Sequence, residues 1–211
     1  MDEKGSWKEC TATQRACPLE PAFVWTATAN LAPLVTVKGC DSLVDNTGFC
    51  SWLLWGSVPA ASGGGREVEQ SLRLRWLAEA VCFPQALLPS RFLRWEAVEG
   101  QEQEAEAVLT YGGVCVRAIF RFDRFDRAAS MRTRDFLRRR SNGTFDADGE
   151  WRVDYSGHML FGLSRQGPVT HAELSTPLGI HIPTQINASW VFPDGTRFSS
   201  ARFTIAKVTA E

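Results

Sequence analysis

Glu79 is the residue of this sequence whose surroundings point most directly to chemistry. Four apolar residues share its face of a predicted helix, at the spacing that a repeat of about 3.6 residues requires: Val68, Leu72, Trp76 and Phe83. A carboxyl group among apolar side chains loses hydration, which favours its neutral form. The pattern makes Glu79 a candidate general acid/base, or a polar contact for the head group of a ligand in an apolar cavity.

A structural role for Glu79 is the alternative. An arginine that points inward from a neighbouring strand, such as Arg94 or Arg121, would pair with the carboxylate and tie the helix to the sheet. The sequence identifies no partner base or nucleophile, so Glu79 stands alone as a catalytic candidate.

Other arrangements that carry chemistry are incomplete. The histidines are His158, His171 and His181, and only His171 has a potential metal ligand close by, Glu173, on the same strand face. Two ligands do not make a metal site. The glycine-rich Ser62–Gly65 lacks the Gly-Lys-Ser/Thr of a phosphate loop, and no Gly-x-Ser-x-Gly elbow is present. We therefore predict no metal and no cofactor.

The segment Arg117–Arg140 is rich in arginine, with nine arginines against three aspartates. One interpretation is peripheral contact with an anionic membrane, and another is RNA binding. The third is a solvated outer face whose charge is balanced by the acidic segment Glu96–Glu106. The formal net charge of −1 argues against attraction of the whole molecule to nucleic acid, so we expect no nucleic-acid partner.

The helix that positions Glu79 is predicted over Arg66–Phe83, where Pro84 ends it. A second apolar face carries Leu74, Leu77 and Val81, and a helix that is apolar on two faces is normally enclosed by the rest of the fold. Glu69 and Arg73 are predicted to form an i,i+4 pair on its exposed side.

Alternating apolar residues predict strands on both sides of this helix, about three before it and seven or eight after it. Short connections favour antiparallel pairing, and a sheet of about ten strands must curl. The fold class is therefore mainly β (α+β), a curved antiparallel half-barrel around one long helix. Residues 1–20 are predicted to form a flexible arm, and residues 21–211 a single half-barrel domain.

The six cysteines include no C-x-x-C pair, and the polar first residues resemble no signal peptide. We expect free thiols and a soluble, cytoplasmic protein. No apolar run approaches the length of a transmembrane segment.

Several motifs together resemble a largely bacterial protein family of unknown function. They are Ala78-Glu-Ala-Val-x-Phe-Pro-x-Ala-Leu-Leu-Pro89, Arg94-Trp-Glu-Ala97, the Thr-Tyr-Gly-Gly that ends at Gly113, Phe120-x-Phe122, and Ile182-Pro-Thr184 with Trp190. The resemblance implies a fold similar to that of the LolA-like lipoprotein carriers, in which a curved antiparallel half-barrel holds helices on its concave face.

These observations predict a protein that binds an apolar or lipid-like ligand between the helix and the curved sheet. The predicted ligand-binding residues are Trp76, Glu79, Phe83, Trp95, Phe120, Phe122 and Trp190. Two alternatives remain open: an enzyme that acts on such a ligand with Glu79 as acid/base, and a scaffold or interaction domain whose interior is packed and holds no ligand.

Overall fold

Five antiparallel strands precede the helix in the computed structural model, which describes residues 7–140, 143–162 and 179–209. They form one sheet in which each strand pairs with the next along the chain. The strands are β1 (Cys10–Cys17), β2 (Ala22–Ala32), β3 (Val35–Val44), β4 (Thr47–Leu54) and β5 (Val58–Gly64). The predicted alternation is clearest in β2, where Phe23, Trp25 and Ala27 are buried and the residues between them are exposed.

The two outer strands of this first sheet correct the sequence prediction. The flexible arm predicted for residues 1–20 is wrong for residues 10–17, since β1 pairs with β2 along its whole length. The glycine-rich Ser62–Gly65, for which no strand was predicted, is part of β5 up to Gly64. Both strands consist mostly of small residues, so they lack the alternation of large apolar side chains that marks a strand. Pro59 is tolerated because β5 lies at the edge of the sheet.

The helix α1 (Arg66–Glu79) follows, and two short 3-10 turns extend it, Ala80–Cys82 and Pro84–Leu87. The predicted helix of Arg66–Phe83 is thus α-helical up to Glu79. Both predicted apolar faces are buried, because α1 contacts β3, β4 and β5 of the first sheet and β8 of the second. None of the helices in the described residues is long and apolar enough to cross a bilayer.

Arg73 of α1 is fully buried, which corrects the prediction of an exposed pair with Glu69. Its guanidinium donates hydrogen bonds to the carbonyl oxygens of Tyr111 (3.1 Å) and Asn46 (3.2 Å), while Glu69 lies 3.8 Å away. Burial lowers the pKa of Arg73 from its ordinary value. The side chain thereby links α1 to one turn of each sheet.

The strands after α1 form a second sheet and two small hairpins. In chain order they are β6 (Leu93–Ala97), β7 (Glu104–Tyr111), β8 (Val114–Phe122), β9 (Ala128–Thr133), β10 (Arg138–Arg139), β11 (Phe145–Asp146), β12 (Glu150–Ser156), β13 (Met159–Gly162), β14 (Gly179–Ile182), β15 (Gln185–Val191) and β16 (Arg197–Thr204). The sheet has the order β16-β15-β12-β9-β8-β7-β6, while β10 pairs with β11 and β13 with β14. All of these pairs are antiparallel.

The mainly β, antiparallel organisation around one helix is confirmed. The prediction of one curled sheet is wrong, because the main strands of the described residues form two open sheets, of five and seven strands. A half-barrel of the LolA-like kind remains a prediction. The predicted strand at Val169–Ser175, with His171 and Glu173, lies outside the described residues.

Candidate functional site

The aromatic residues predicted to bind a ligand lie in three groups, each packed ring against ring. Trp76 is fully buried, and its ring centroid lies 6.1 Å from that of Phe83. The indole N–H of Trp76 donates to the carbonyl oxygen of Cys17, at 3.1 Å, which joins α1 to the end of β1. This first group therefore fixes the helix against the first sheet.

The second group joins Trp95 of β6 to Phe120 and Phe122 of β8. Trp95 packs edge-on against Phe120 at 5.3 Å and lies 6.2 Å from Phe122. Its indole N–H donates to the carbonyl oxygen of Leu87 at 2.8 Å. Trp190 belongs to a third group, 5.6 Å from Phe136. The predicted lining residues thus contact different neighbours within one continuous core.

Glu79 has two donors, one for each carboxylate oxygen. Arg75 Nε donates to one oxygen at 2.8 Å, and Gln14 Nε2 of β1 donates to the other at 2.6 Å. Glu79 does pair with an arginine, but this arginine belongs to the same helix and not to a strand, so neither Arg94 nor Arg121 supplies it. Arg75 lies one helical turn earlier, where i,i+4 neighbours share a face of the helix.

Arg75 is the centre of this group, because it binds a second carboxylate as well. Its Nη1 lies 2.6 Å from Asp41 of β3, and its guanidinium carbon stands 5.2 Å from the Phe23 ring and 4.7 Å from the Trp25 ring. We call the set Gln14, Asp41, Cys50, Arg75 and Glu79 the Arg75 cluster. Its two carboxylates and one guanidinium leave one net negative charge between α1 and the first sheet.

Opposing effects act on Arg75. Burial alone would lower the pKa of its guanidinium, but the carboxylates of Glu79 and Asp41 outweigh burial and raise it. Asp41 Oδ1 and Arg75 Nη2 are buried without a hydrogen-bond partner in the described part of the chain. The ion pairs and hydrogen bonds of the cluster hold the helix to β1 and β3 at once.

The thiols near the cluster are poor nucleophiles. Burial, and then the Asp41 carboxylate, raises the pKa of Cys50 to about 12. Burial, followed by the Glu79 carboxylate, raises the pKa of Cys82 to about 12 as well. Only a thiolate attacks readily, so neither group is activated at neutral pH. All six cysteines are free, as predicted.

A depression of about 420 Å³ lies on the first sheet. The register of the strands aligns small side chains across this face: Thr13 pairs with Thr26, Thr26 with Cys40, and Cys40 with Ser51. We call it the threonine trough, and its lining consists of Thr11, Ala12, Thr13, Thr26, Ala27, Thr28, Lys38, Gly39, Cys40, Ser51 and Leu53. Methyl and hydroxyl groups line most of it, and Lys38 supplies one cation.

The trough was not predicted from the sequence. Thr26 and Thr28 alternate with the buried residues of β2, so this alternation alone could have indicated an exposed threonine face. The contribution of Thr11 and Thr13 depends on β1, which the sequence does not reveal as a strand. A shared face across four strands becomes apparent only from the register.

The arginines of Arg117–Arg140 are largely balanced by acids. Arg117 pairs with Glu96 and Glu106, and Arg132 with Glu104, so the predicted counter-charge is confirmed. Further ion pairs join Arg127 to Asp123, and Arg138 and Arg140 to Asp146. The hydrogen bond from Arg127 lowers the pKa of Asp123 to about 2. This pairing leaves less free positive charge for an anionic partner than the count of arginines implies.

Comparison with other proteins gives one relationship. Neither the curated proteins nor the solved structures include a match to this chain. The model of a family of unknown function, DUF6920, matches residues 1–209. Because the match covers nearly the whole sequence, the chain belongs to the DUF6920 family.

Proposed function

We propose that this protein binds an apolar, lipid-like ligand, and that the ligand lies in the threonine trough. The observation that carries the proposal is the volume of this depression, about 420 Å³. Pockets for small ligands commonly enclose about 300–1,000 Å³, with apolar walls and a few polar groups. The trough therefore offers room for a small amphiphile.

The chemistry of the lining supports an amphiphilic ligand. Threonine presents a methyl group beside a hydroxyl group, so a row of threonines can contact an acyl chain and also donate a hydrogen bond. Thr13 and Thr26 already share one hydrogen bond across the strands, at 3.0 Å. Lys38 at the edge of the trough would attract an anionic head group.

The location differs from the one predicted from the sequence, between helix and sheet. The rings of Trp76, Trp95 and Phe120 pack against other rings, which leaves less of their surface for a ligand. The alternative of a packed scaffold is favoured by this same ring packing. An acid/base role for Glu79 has less support, because both of its carboxylate oxygens already accept hydrogen bonds. A cytoplasmic location forms part of the proposal, and the free thiols support it.

Uptake of a fluorescent fatty-acid analogue tests the proposal. Ser51→Phe would fill the trough, whereas Ser42→Phe adds the same ring on the same sheet face, outside the trough. We expect the wild type and Ser42→Phe to bind the analogue, and Ser51→Phe to bind at least about tenfold more weakly, since a ring in the trough blocks the apolar contact. Thermal melting confirms that both variants fold.

Two outcomes contradict the proposal, and the first of them favours the scaffold. One is a wild type that takes up no analogue. The other is equal binding by Ser51→Phe and Ser42→Phe, which would place the ligand elsewhere.

A further inference from the structure

Two neighbouring turns of the first sheet, and the strand ends beside them, expose large apolar side chains. The turn between β2 and β3 and the turn between β4 and β5 lie at the same end of the sheet, as an antiparallel order requires. We call these turns, together with the adjoining strand ends, the hairpin tip, and its exposed apolar residues are Leu31 of β2, Leu34, Trp55 and Val58 of β5. Leu34 is 92% exposed and Trp55 is 58% exposed, so both side chains are accessible to solvent.

The backbone conformation of the hairpin tip does not favour leucine or tryptophan at these positions. Leu34 has φ 65° and Trp55 has φ 51°. Glycine and asparagine adopt this left-handed conformation at less cost than leucine or tryptophan. Strain of this kind motivates a functional explanation for the side chains that carry it.

Three N–H donors of the tip bond to carbonyl oxygens of the tip itself. The indole N–H of Trp55 donates to the carbonyl oxygen of Leu34 at 2.7 Å, which also joins the two turns. The backbone N–H of Trp55 donates to the carbonyl oxygen of Thr36 at 2.7 Å, and that of Ser57 to Leu54 at 3.1 Å. A backbone that enters an apolar medium needs partners for its hydrogen-bond donors.

The charges near the tip also suit a lipid surface. Residues 28–38 and 53–62 contain no aspartate or glutamate, and their one charged residue is Lys38. The Lys38 side chain passes beside Gly56 in the second turn, where its ammonium group can meet lipid phosphates. Tryptophan and leucine beside a lysine are typical of segments that enter the interface of a membrane.

A protein partner fits the tip less well. Stable protein–protein interfaces bury about 800 Å² on each partner, contributed by roughly 20–30 residues. Four apolar side chains on two short turns form a much smaller contact. From these observations we propose that the hairpin tip docks on the surface of a lipid bilayer, with Leu34 and Trp55 inserted at the level of the head groups. Lys38 also lines the threonine trough, but docking of the apolar tip does not require a ligand there.

Vesicle sedimentation tests the docking with a matched pair of substitutions. Leu34→Asn removes an apolar side chain at a position whose φ suits asparagine, so the fold should be retained. Leu19→Asn changes another exposed leucine, 78% exposed, in the turn between β1 and β2 at the other end of the sheet. On phosphatidylcholine vesicles, Leu34→Asn should partition about tenfold more weakly than the wild type, and Leu19→Asn should match it.

The lipid composition separates this docking from an arginine-driven contact. With one lysine at the tip, phosphatidylserine should strengthen binding only modestly, and salt should weaken it little. A contact made by Arg117–Arg140 would instead require phosphatidylserine and be lost in salt. Ser51→Phe should still sediment with vesicles, because the tip does not need the trough.

Quenching of tryptophan emission by brominated lipids locates the inserted ring. Wild-type emission should be quenched, whereas Trp55→Phe should still bind vesicles and show little quenching. The proposal is overturned by a wild type that fails to sediment with either kind of vesicle. It is also overturned if Leu34→Asn binds as the wild type does, if Leu19→Asn loses as much binding, or if Trp55→Phe is quenched as strongly as the wild type.

Discussion

Replacement of Arg75 by methionine should destabilise the protein strongly, and the effect should depend on pH. Methionine keeps an apolar stem of similar length beside the Phe23 and Trp25 rings, so the main change is the loss of the guanidinium. Asp41 and Glu79 then stay largely buried without a cation, with side chains only 14% and 16% exposed. Removal of one partner of a buried ion pair costs about 3–5 kcal/mol.

The slight exposure of the cluster places the expected cost at the lower end, about 3 kcal/mol at neutral pH. For a chain of this size, each kcal/mol lowers Tm by about 2–4 °C, so Arg75→Met should lower Tm by about 6–12 °C. Glu79→Gln is milder, since Arg75 keeps Asp41 and the amide oxygen can still accept from Arg75, while the amide N–H can donate to the Gln14 oxygen once the Gln14 amide turns round. We expect a loss of about 1 kcal/mol for that variant.

The pH dependence follows from the protonation of the stranded carboxylates. Without the guanidinium, the folded variant favours their neutral forms and holds protons that the unfolded chain releases near pH ~4. Stability of Arg75→Met therefore falls as pH rises above about 4, and its deficit against the wild type shrinks in acid. In the wild type, the raised pKa of Arg75 contributes stability that is complete below the pKa of the unfolded chain's arginine and is constant from pH 4 to 8.

Thermal melting between pH 4 and 8 measures these differences. Arg117→Met is the matched control, because Arg117 also binds two carboxylates but lies on the surface, where such pairs stabilise little. An Asp41→Asn background should reduce the loss caused by Arg75→Met, since one stranded charge is gone. Equal Tm values for Arg75→Met and Arg117→Met at neutral pH would refute the reasoning, as would a deficit that does not change with pH.

Two further predictions concern a close approach and the cysteines. Gly112 has φ 59°, and a Cβ there would lie 2.9 Å from Arg73 Nη2. Gly112→Ala should therefore lower the free energy of unfolding, measured by chemical denaturation, by about 2 kcal/mol or more. Gly113→Ala is the control, because a Cβ at Gly113 meets open space. The second prediction concerns alkylation of the native protein without reductant, followed by mass spectrometry. The exposed Cys10 and Cys115 should react well before Cys50 and Cys82, because burial keeps the latter two thiols protonated. A disulfide bridge between any two of the six cysteines would contradict the free thiols.

Elements with strong apolar patterns were predictable from the sequence, and elements built from small residues were not. In β8, the apolar residues Val116, Ala118 and Phe120 recur at every second position and are buried, because a strand that covers a helix must alternate. The helix was predictable because its apolar residues recur at the spacing of a helical repeat. The strand β1 carries threonine, alanine and cysteine, and its pairing with β2 decides its conformation more than its own pattern does.

The candidate site was predictable only in part, because its partners come from different elements. The helical repeat placed Glu79 on a buried face, and an arginine partner was expected. The actual partner is one turn away on the same helix, and Gln14 and Asp41 reach the site from strands. Which strand residues face a helix depends on how the sheet packs against it, and helix periodicity alone does not determine that.

The order of the strands has a consequence for how the chain folds. In the first sheet each strand pairs with its neighbour in sequence, and in the second only two small hairpins interrupt such an order. Each sheet can therefore grow from local hairpins, whose loops cost little entropy to close. The step with the largest entropy cost is the one that brings the two sheets together on α1. Contacts such as Tyr155 Oη with the carbonyl oxygen of Ala78, at 2.8 Å and 77 residues apart, form only in that step. The rate of folding thus depends on helix docking more than on sheet formation.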